Sequence, residues 1–245
     1  MELETKYKIT REKAESLIYR AAVANYRMDG VLLNKDEYFN TTDNIGNKRF
    51  RLRSTKHYAS PSMHLCHDAY LDKCVTLFLD NSQYDNTDKS ILEGYWSNSY
   101  TFTVKDKTVT NGIEQNKEEE FQIDDNGLSA LLSLLDYANM KKQYTKYKKT
   151  FSFYLSCNDI TKISVAKIPP VEVPTIHVEL VNFQGRFWME MEIILKEDQD
   201  DTDSETSLED MKNAIPSWFE YVITIFGISP SMKDNRSWGE IEKEL

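Results

Sequence analysis

The feature that most narrows the fold is an alternation of charged and apolar side chains whose charges are sorted by sign from one stretch to the next. Glu2-Leu3-Glu4-Thr5-Lys6-Tyr7-Lys8-Ile9 opens the chain, and Trp188-Met189-Glu190-Met191-Glu192-Ile193 repeats the arrangement far downstream. Alternate side chains of an extended strand point to opposite faces. Glu2, Glu4, Lys6 and Lys8 therefore share one face, with Leu3, Tyr7 and Ile9 on the other. Glu190 and Glu192 likewise oppose Met189, Met191 and Ile193. Two carboxylates on one face are costly in a dry core, but they suit a wet, charged cavity. Hard cations such as Mg²⁺ and Mn²⁺ favour clustered carboxylate oxygens.

Other stretches alternate in the same way. Arg49, Arg51 and Arg53 oppose Phe50 and Leu52; Thr101, Thr103 and Lys105 oppose Phe102 and Val104. Glu118, Glu120 and Gln122 oppose Phe121 and Ile123, and Lys146 and Lys148 oppose Tyr147, Phe151 and Phe153. His177 and Glu179 oppose Ile176, Val178 and Leu180. Short strands are also expected over 31–33, 38–41, 75–79 and 160–168. Any one of these alone reads as half-exposed antiparallel sheet. Together they read differently, because solvated faces mix signs while these strands carry acid or base. Sorted charge points to a sheet closed into a barrel, charged inside and apolar outside, with amphipathic helices over the outer face. Such a lumen holds a polyanion against Arg and Lys, and its acids hold the neutralising cation. A polyphosphate bound as its metal complex is the natural ligand.

Helices are expected from an N-capping Thr10 to about Asn25, with Ala14, Leu17, Ile18, Ala21 and Ala22 as the apolar stripe, and from Asn126 to about Met140. Ser207 caps a third, and Pro216 starts a fourth that Gly227 and Pro230 close. A turn is expected over 43–47 and a polar loop over 80–89, while 56–72 fits no simple pattern; residues 56–94 read as an insertion. The acidic run 197–205 reads as a solvated loop rather than a calcium site. No linker or repeat divides the chain, so 1–245 is expected to be one α+β domain.

The net charge of −10 over 245 residues argues against a surface that coats nucleic acid. No apolar run approaches the ~18 residues of a membrane span. The N-terminus lacks a charged-then-apolar signal segment, so a cytoplasmic location is expected. Cys66, Cys74 and Cys157 are odd in number and give no disulfide framework. His64, Cys66, His67 and Cys74 match no common zinc spacing, which leaves reduced thiols as the expectation.

At this point the chain resembles a known family. Glu2-Leu-Glu4-Thr-Lys6 is similar to the ExExK signature of the CYTH superfamily, the triphosphate tunnel metalloenzymes. The order of the later pieces supports it. Tyr38-Phe39-Asn40-Thr41 resembles the family's YYDT strand, Phe50-Arg51-Leu52-Arg53 its LRxR strand, and Thr103-Val104-Lys105 its TxK strand. Lys146 and Lys148 stand where a basic strand is expected, Glu190-Met-Glu192 matches the late ExE, and Arg236-Ser237-Trp238-Gly239-Glu240-Ile241 is similar to the terminal RSYxELL. Asn40, Trp238 and Asn116 or Lys117 depart from the family's usual Asp, Tyr and Arg. The resemblance implies an eight-stranded antiparallel tunnel with helices outside. It implies hydrolysis of the terminal phosphoryl group of tripolyphosphate or a nucleoside triphosphate, with Mg²⁺ or Mn²⁺. Glu2, Glu4, Glu190 and Glu192 would hold the metal and carry the catalysis. Lys6, Arg51, Arg53, Lys105, Lys146 and Lys148 would clamp the phosphates, and Glu118, Glu120 and Glu179 would add acidic lining. The alternatives are a class IV adenylyl cyclase, which makes cyclic AMP and pyrophosphate, and a non-catalytic polyphosphate binder. An RNA 5′-triphosphate end is a less favoured substrate than a small molecule, because the acidic chain offers no extended nucleic-acid track.

Overall fold

Strand pairing runs full circle. The structure, a computed structural model, describes residues 1–40, 48–58, 68–81, 96–110, 113–156, 173–195 and 207–244. Among these residues lie eight antiparallel strands: β1 (Glu2–Ile9), β2 (Arg27–Asn40), β3 (Lys48–Tyr58), β4 (Trp96–Thr110), β5 (Ile113–Ile123), β6 (Lys141–Leu155), β7 (Ile176–Phe183) and β8 (Arg186–Ile194). They form a closed barrel in the order β1-β5-β4-β3-β2-β6-β7-β8. β1 closes it, pairing Glu4 with Glu114 of β5 on one side and with Glu192 of β8 on the other. β1 thus has strand partners on both sides, β8 along its whole length and β5 through Glu2–Glu4.

The main core lies outside the barrel. Outward residues Leu3, Tyr7, Phe151, Phe153, Val178, Leu180, Met189 and Met191 are buried in one cluster with the helices α1 (Arg11–Val23), α2 (Asp68–Leu79) and α4 (Leu208–Ile225). Thr10 caps α1 by accepting from the Lys13 backbone N–H at 3.1 Å, and the expected apolar stripe is buried. α3 (Asp125–Tyr137) is capped by Asp124, two residues before the Asn126-Gly127 pair expected to open it. A short α5 (Trp238–Lys243) begins with a full capping box between Ser237 and Glu240. A second, smaller cluster of Val181, Phe183, Trp188 and Ile241 lies on the lumen-facing side of β7 and β8, with Trp238 packed against it.

Three expectations are corrected. Residues 75–79 belong to the helix α2, not to a strand. A short, mostly apolar stretch such as Val75-Thr-Leu-Phe-Leu79 serves either element, and here the partners outside the stretch decide. Lys149 Nζ donates to Leu77 O at 3.3 Å and Asp80 O at 2.9 Å, and Asn182 Nδ2 donates to Phe78 O at 2.6 Å, so the end of the helix is capped by the barrel wall. The stretches 31–33 and 38–41 are parts of one strand through Asn40, because the intervening Asn34 and Asp36 are buried and the strand continues through them. α4 runs unbroken through Pro216, where burial of Ile215, Trp218, Phe219 and Val222 outweighs one lost backbone hydrogen bond. The expected turn over 43–47, strand over 160–168 and acidic loop over 197–205 lie outside the described residues, as do His64, Cys66, His67 and Cys157. Cys74 is a buried thiol in α2. No helix among the described residues is long and apolar enough to cross a membrane.

Phe153 tests the outer core. It is fully buried, stacked on Tyr26 at 6.0 Å and edge-on to Phe226 at 6.0 Å. Phe153→Ala is expected to lower unfolding free energy by about 3–5 kcal/mol in urea denaturation. A loss below about 1 kcal/mol would contradict a core on this face.

Candidate active site

Strand order divides the lumen into two electrostatic halves. Its cavity, about 470 Å³, is lined by Glu2, Glu4, Glu190, Glu192, Arg51, Arg53, Lys105, Lys146, Lys148, Glu118, Glu120 and Glu179. The acids come from β7, β8, β1 and β5, which are contiguous in the barrel, and the Arg and Lys from β4, β3 and β6, joined through β2. Of the residues expected in the site, Lys6 alone does not line the cavity: it is buried beneath Trp238.

The basic half is organised by a residue the sequence reading passed over. Asp36 is fully buried and accepts two hydrogen bonds from Arg53, Nε at 2.6 Å and Nη2 at 3.0 Å, with Lys146 Nζ 3.6 Å away. Burial alone would raise its pKa, but the charges of Arg53 and Lys146 outweigh that and hold the carboxyl well below the usual range. Lys146 also donates to Tyr38 Oη at 3.0 Å, and the Tyr38 ring stacks on Tyr144 at 4.6 Å. Arg51 donates to Thr103 at 3.0 Å and Glu120 at 3.2 Å, which ties the two halves together. Arg49, Glu114, Tyr144, His177 and Trp238 also line the cavity. Arg49 and Glu114 were legible by parity with Arg51 and Glu118.

The acidic half is crowded. Lys105 bridges it, 2.5 Å from Glu118, 3.6 Å from Glu2, 3.8 Å from Glu114 and 3.9 Å from Glu4. Burial would lower the lysine's pKa, but the surrounding carboxylates raise it. Burial, then the charge of Glu190, pushes Glu4 well above the carboxylate range. Burial, only partly offset by Lys105, pushes Glu2 up to about 7, with Glu192 and Glu118 adding to the rise. Glu190 goes the other way: despite burial, Lys148 and Lys6 hold it low, helped by hydrogen bonds from Glu4 and from Trp238 Nε1 at 2.6 Å. Lys148 lies 3.0 Å from Glu179 and 3.5 Å from Glu190. His177 stacks on Tyr154 at 4.8 Å and places Nδ1 3.6 Å from Glu192. Arg236 stands apart, pairing with Asp234 at 2.6 Å and with Glu244.

The donor set fits a hard divalent cation. It is all oxygen, and burial together with neighbouring carboxylates pushes Glu4 and Glu2 up, a crowding of negative charge that a divalent cation would relieve. Among the described residues no three metal-binding groups already stand at coordinating distance; the carboxylates turn to Lys105, Lys148 and Trp238 instead.

No family model matches the chain, and no curated protein matches it by sequence. Solved structures match it over nearly its whole length. The PH1819 protein of Pyrococcus horikoshii has a TM-score of 0.59 at 15% identity, covering 100% of this chain and 99% of its own. A proposed adenylate cyclase of Vibrio parahaemolyticus has 0.54 at 15%, covering 99% and 97%. HpAC1 of Hippeastrum, a proposed adenylyl cyclase described as having a dominant triphosphatase activity, has 0.50 at 11%, covering 100% and 96%. The chain shares their fold, the tunnel that the sequence resemblance implied.

The Glu2 carboxyl gives a pH signature. Its pKa rises from 4.5 to about 7 on folding, so its contribution to stability is full below about pH 4.5 and is lost as pH rises through about 7. Asp36 and Glu190, both held low, titrate below this window. Metal-free wild-type protein is therefore expected to lose stability between about pH 5 and 8 more steeply than Glu2→Gln. Urea midpoints against pH measure this; His177 is raised in both proteins, Glu4 loses in the variant the part of its rise that Glu2 causes and so shifts the difference in the same direction, and parallel profiles would refute the assignment.

Proposed function

We propose that the chain belongs to the CYTH superfamily and is a divalent-metal-dependent triphosphatase, hydrolysing the terminal phosphoryl group of tripolyphosphate or a nucleoside triphosphate. The observation that carries this reading is the division of one closed lumen into a basic half and an acidic half. A neutral or apolar ligand has no use for either. Arg51, Arg53, Lys146 and Lys148 bind phosphate oxygens and fix the direction of the chain along the tunnel. Glu2, Glu4, Glu190 and Glu192 would hold Mg²⁺ or Mn²⁺, which when bound supplies charge neutralisation and polarises the phosphoryl oxygen. Acids outside the coordination shell, with Glu118, Glu120 and Glu179 on the same side, orient the attacking water and take its proton. Two solved neighbours support the class: HpAC1, described as having a dominant triphosphatase activity, and the Vibrio parahaemolyticus protein, described as a proposed adenylate cyclase. The net charge of −10 favours a small triphosphate over RNA.

Purified protein is to be incubated with tripolyphosphate and, separately, ATP, each with Mg²⁺ or Mn²⁺, and all products resolved. Orthophosphate release is expected, falling by roughly two orders of magnitude or more in Glu190→Gln or Glu4→Gln and on chelation of the metal. Full activity in either variant would sink the mechanism. Cyclic AMP with pyrophosphate would assign the cyclase reaction instead, and binding without turnover a sensor.

A further inference from the structure

Lys6 is the expected phosphate ligand that the cavity does not reach, and the reason is a single side chain. The Lys6 ammonium is 5.8 Å from the centre of the Trp238 ring, and the Lys146 and Lys148 ammoniums are each 5.4 Å from it. Three cations thus converge on one indole, whose electron-rich face takes the place of an anion. The indole N–H is fixed on Glu190 at 2.6 Å. Behind the ring, Trp188 and Phe183 pack edge-on at 5.2 and 5.7 Å, and Val181 and Ile241 complete the apolar filling. The segment that carries Trp238 is pinned as well. The Asp234 backbone N–H donates to Lys6 O at 2.9 Å, the Asp234 carboxylate accepts from Trp188 Nε1 at 3.0 Å, and the capping box holds Ser237 to Glu240.

We propose that Trp238 sets the depth of the tunnel and with it the length of polyphosphate accepted. The indole occupies the position that one further phosphoryl group would fill, over Lys6, Lys146 and Lys148, so a three-phosphate chain fits ahead of it and a four-phosphate chain does not. This inference rests on the polyphosphate reading of the same lumen. Trp238 is a specificity residue here: it touches the ligand's inner end and takes no part in proton or phosphoryl transfer. A smaller side chain uncovers Lys6 and extends the phosphate site of Lys146 and Lys148 inward by one position.

The full-length chain is to be titrated calorimetrically with tripolyphosphate and tetrapolyphosphate, with Ca²⁺ as the cation to slow turnover. Wild type, Trp238→Ala, Trp238→Phe and the double variant Trp238→Ala/Lys6→Gln are compared, and circular dichroism checks each fold. The wild type is expected to prefer tripolyphosphate, and Trp238→Ala to shift the ratio of affinities towards tetrapolyphosphate by about tenfold. Trp238→Phe should shift it less, and Lys6→Gln should abolish the gain. An unchanged ratio in a variant that still binds tripolyphosphate would overturn the depth assignment alone, as would a gain that survives loss of Lys6. If Trp238→Ala does not fold, the ratio in Trp238→Phe decides. A wild type that binds neither polyphosphate overturns the functional reading and this inference together.

Discussion

The seam between β1 and β8 is the contact on which the rest of the molecule depends. It sets Glu4 opposite Glu192 and Lys6 opposite Glu190, so the barrel closes by bringing carboxylates of two strands onto one inner wall. Like charges directly across a strand pair oppose pairing. The seam persists because its other face is apolar: Leu3, Tyr7, Met189, Met191 and Ile193 are all buried in the outer core. The hydrophobic work is done outside the wall, and the electrostatic strain is confined within it. Lys105 and Lys148 then offset part of the negative charge that closure has brought together.

Buried charge of this density is tolerated only when each group has a partner. The basic half shows how. Asp36 sits beneath Arg53 and Lys146 and lets these cations coexist, yet it is fully covered. Its negative charge therefore organises the wall while the outer faces of the cations remain turned to the cavity. The result is a ligand site with built-in polarity: an anion enters against one wall and its counter-ion against the other.

Much of this was legible in the chain because the side-chain period of a strand is two, and a closed wall keeps that parity over every strand. Glu2, Arg51, Lys148 and Glu190 could be assigned to one surface without knowing their neighbours. What failed had causes elsewhere in the molecule. The helical state of 75–79 depends on Lys149 and Asn182, whose side chains cap it from the wall. β2 looked broken at Asn34 and Asp36, because buried polar residues in a charged lumen look like a loop. Lys6 carries the right residue type on the right face, but a side chain more than 200 positions away covers it. Parity assigns faces; it says nothing about depth along the barrel.

Closure by the first and last strands also has a consequence for how the chain acquires its structure. β1 is made before both of its partners: its ladder with β8 forms only after residues 187–194 have been made, and its ladder with β5 only after 114–116. Contacts of such sequence separation make for slow folding. Until they form, the strand that founds the acidic wall presents two open edges, and the nascent chain is at its most vulnerable to pairing with a neighbour. The last of the eight described strands thus turns an open, adhesive sheet into a closed one, and completes the tunnel and much of its protection from aggregation in the same step.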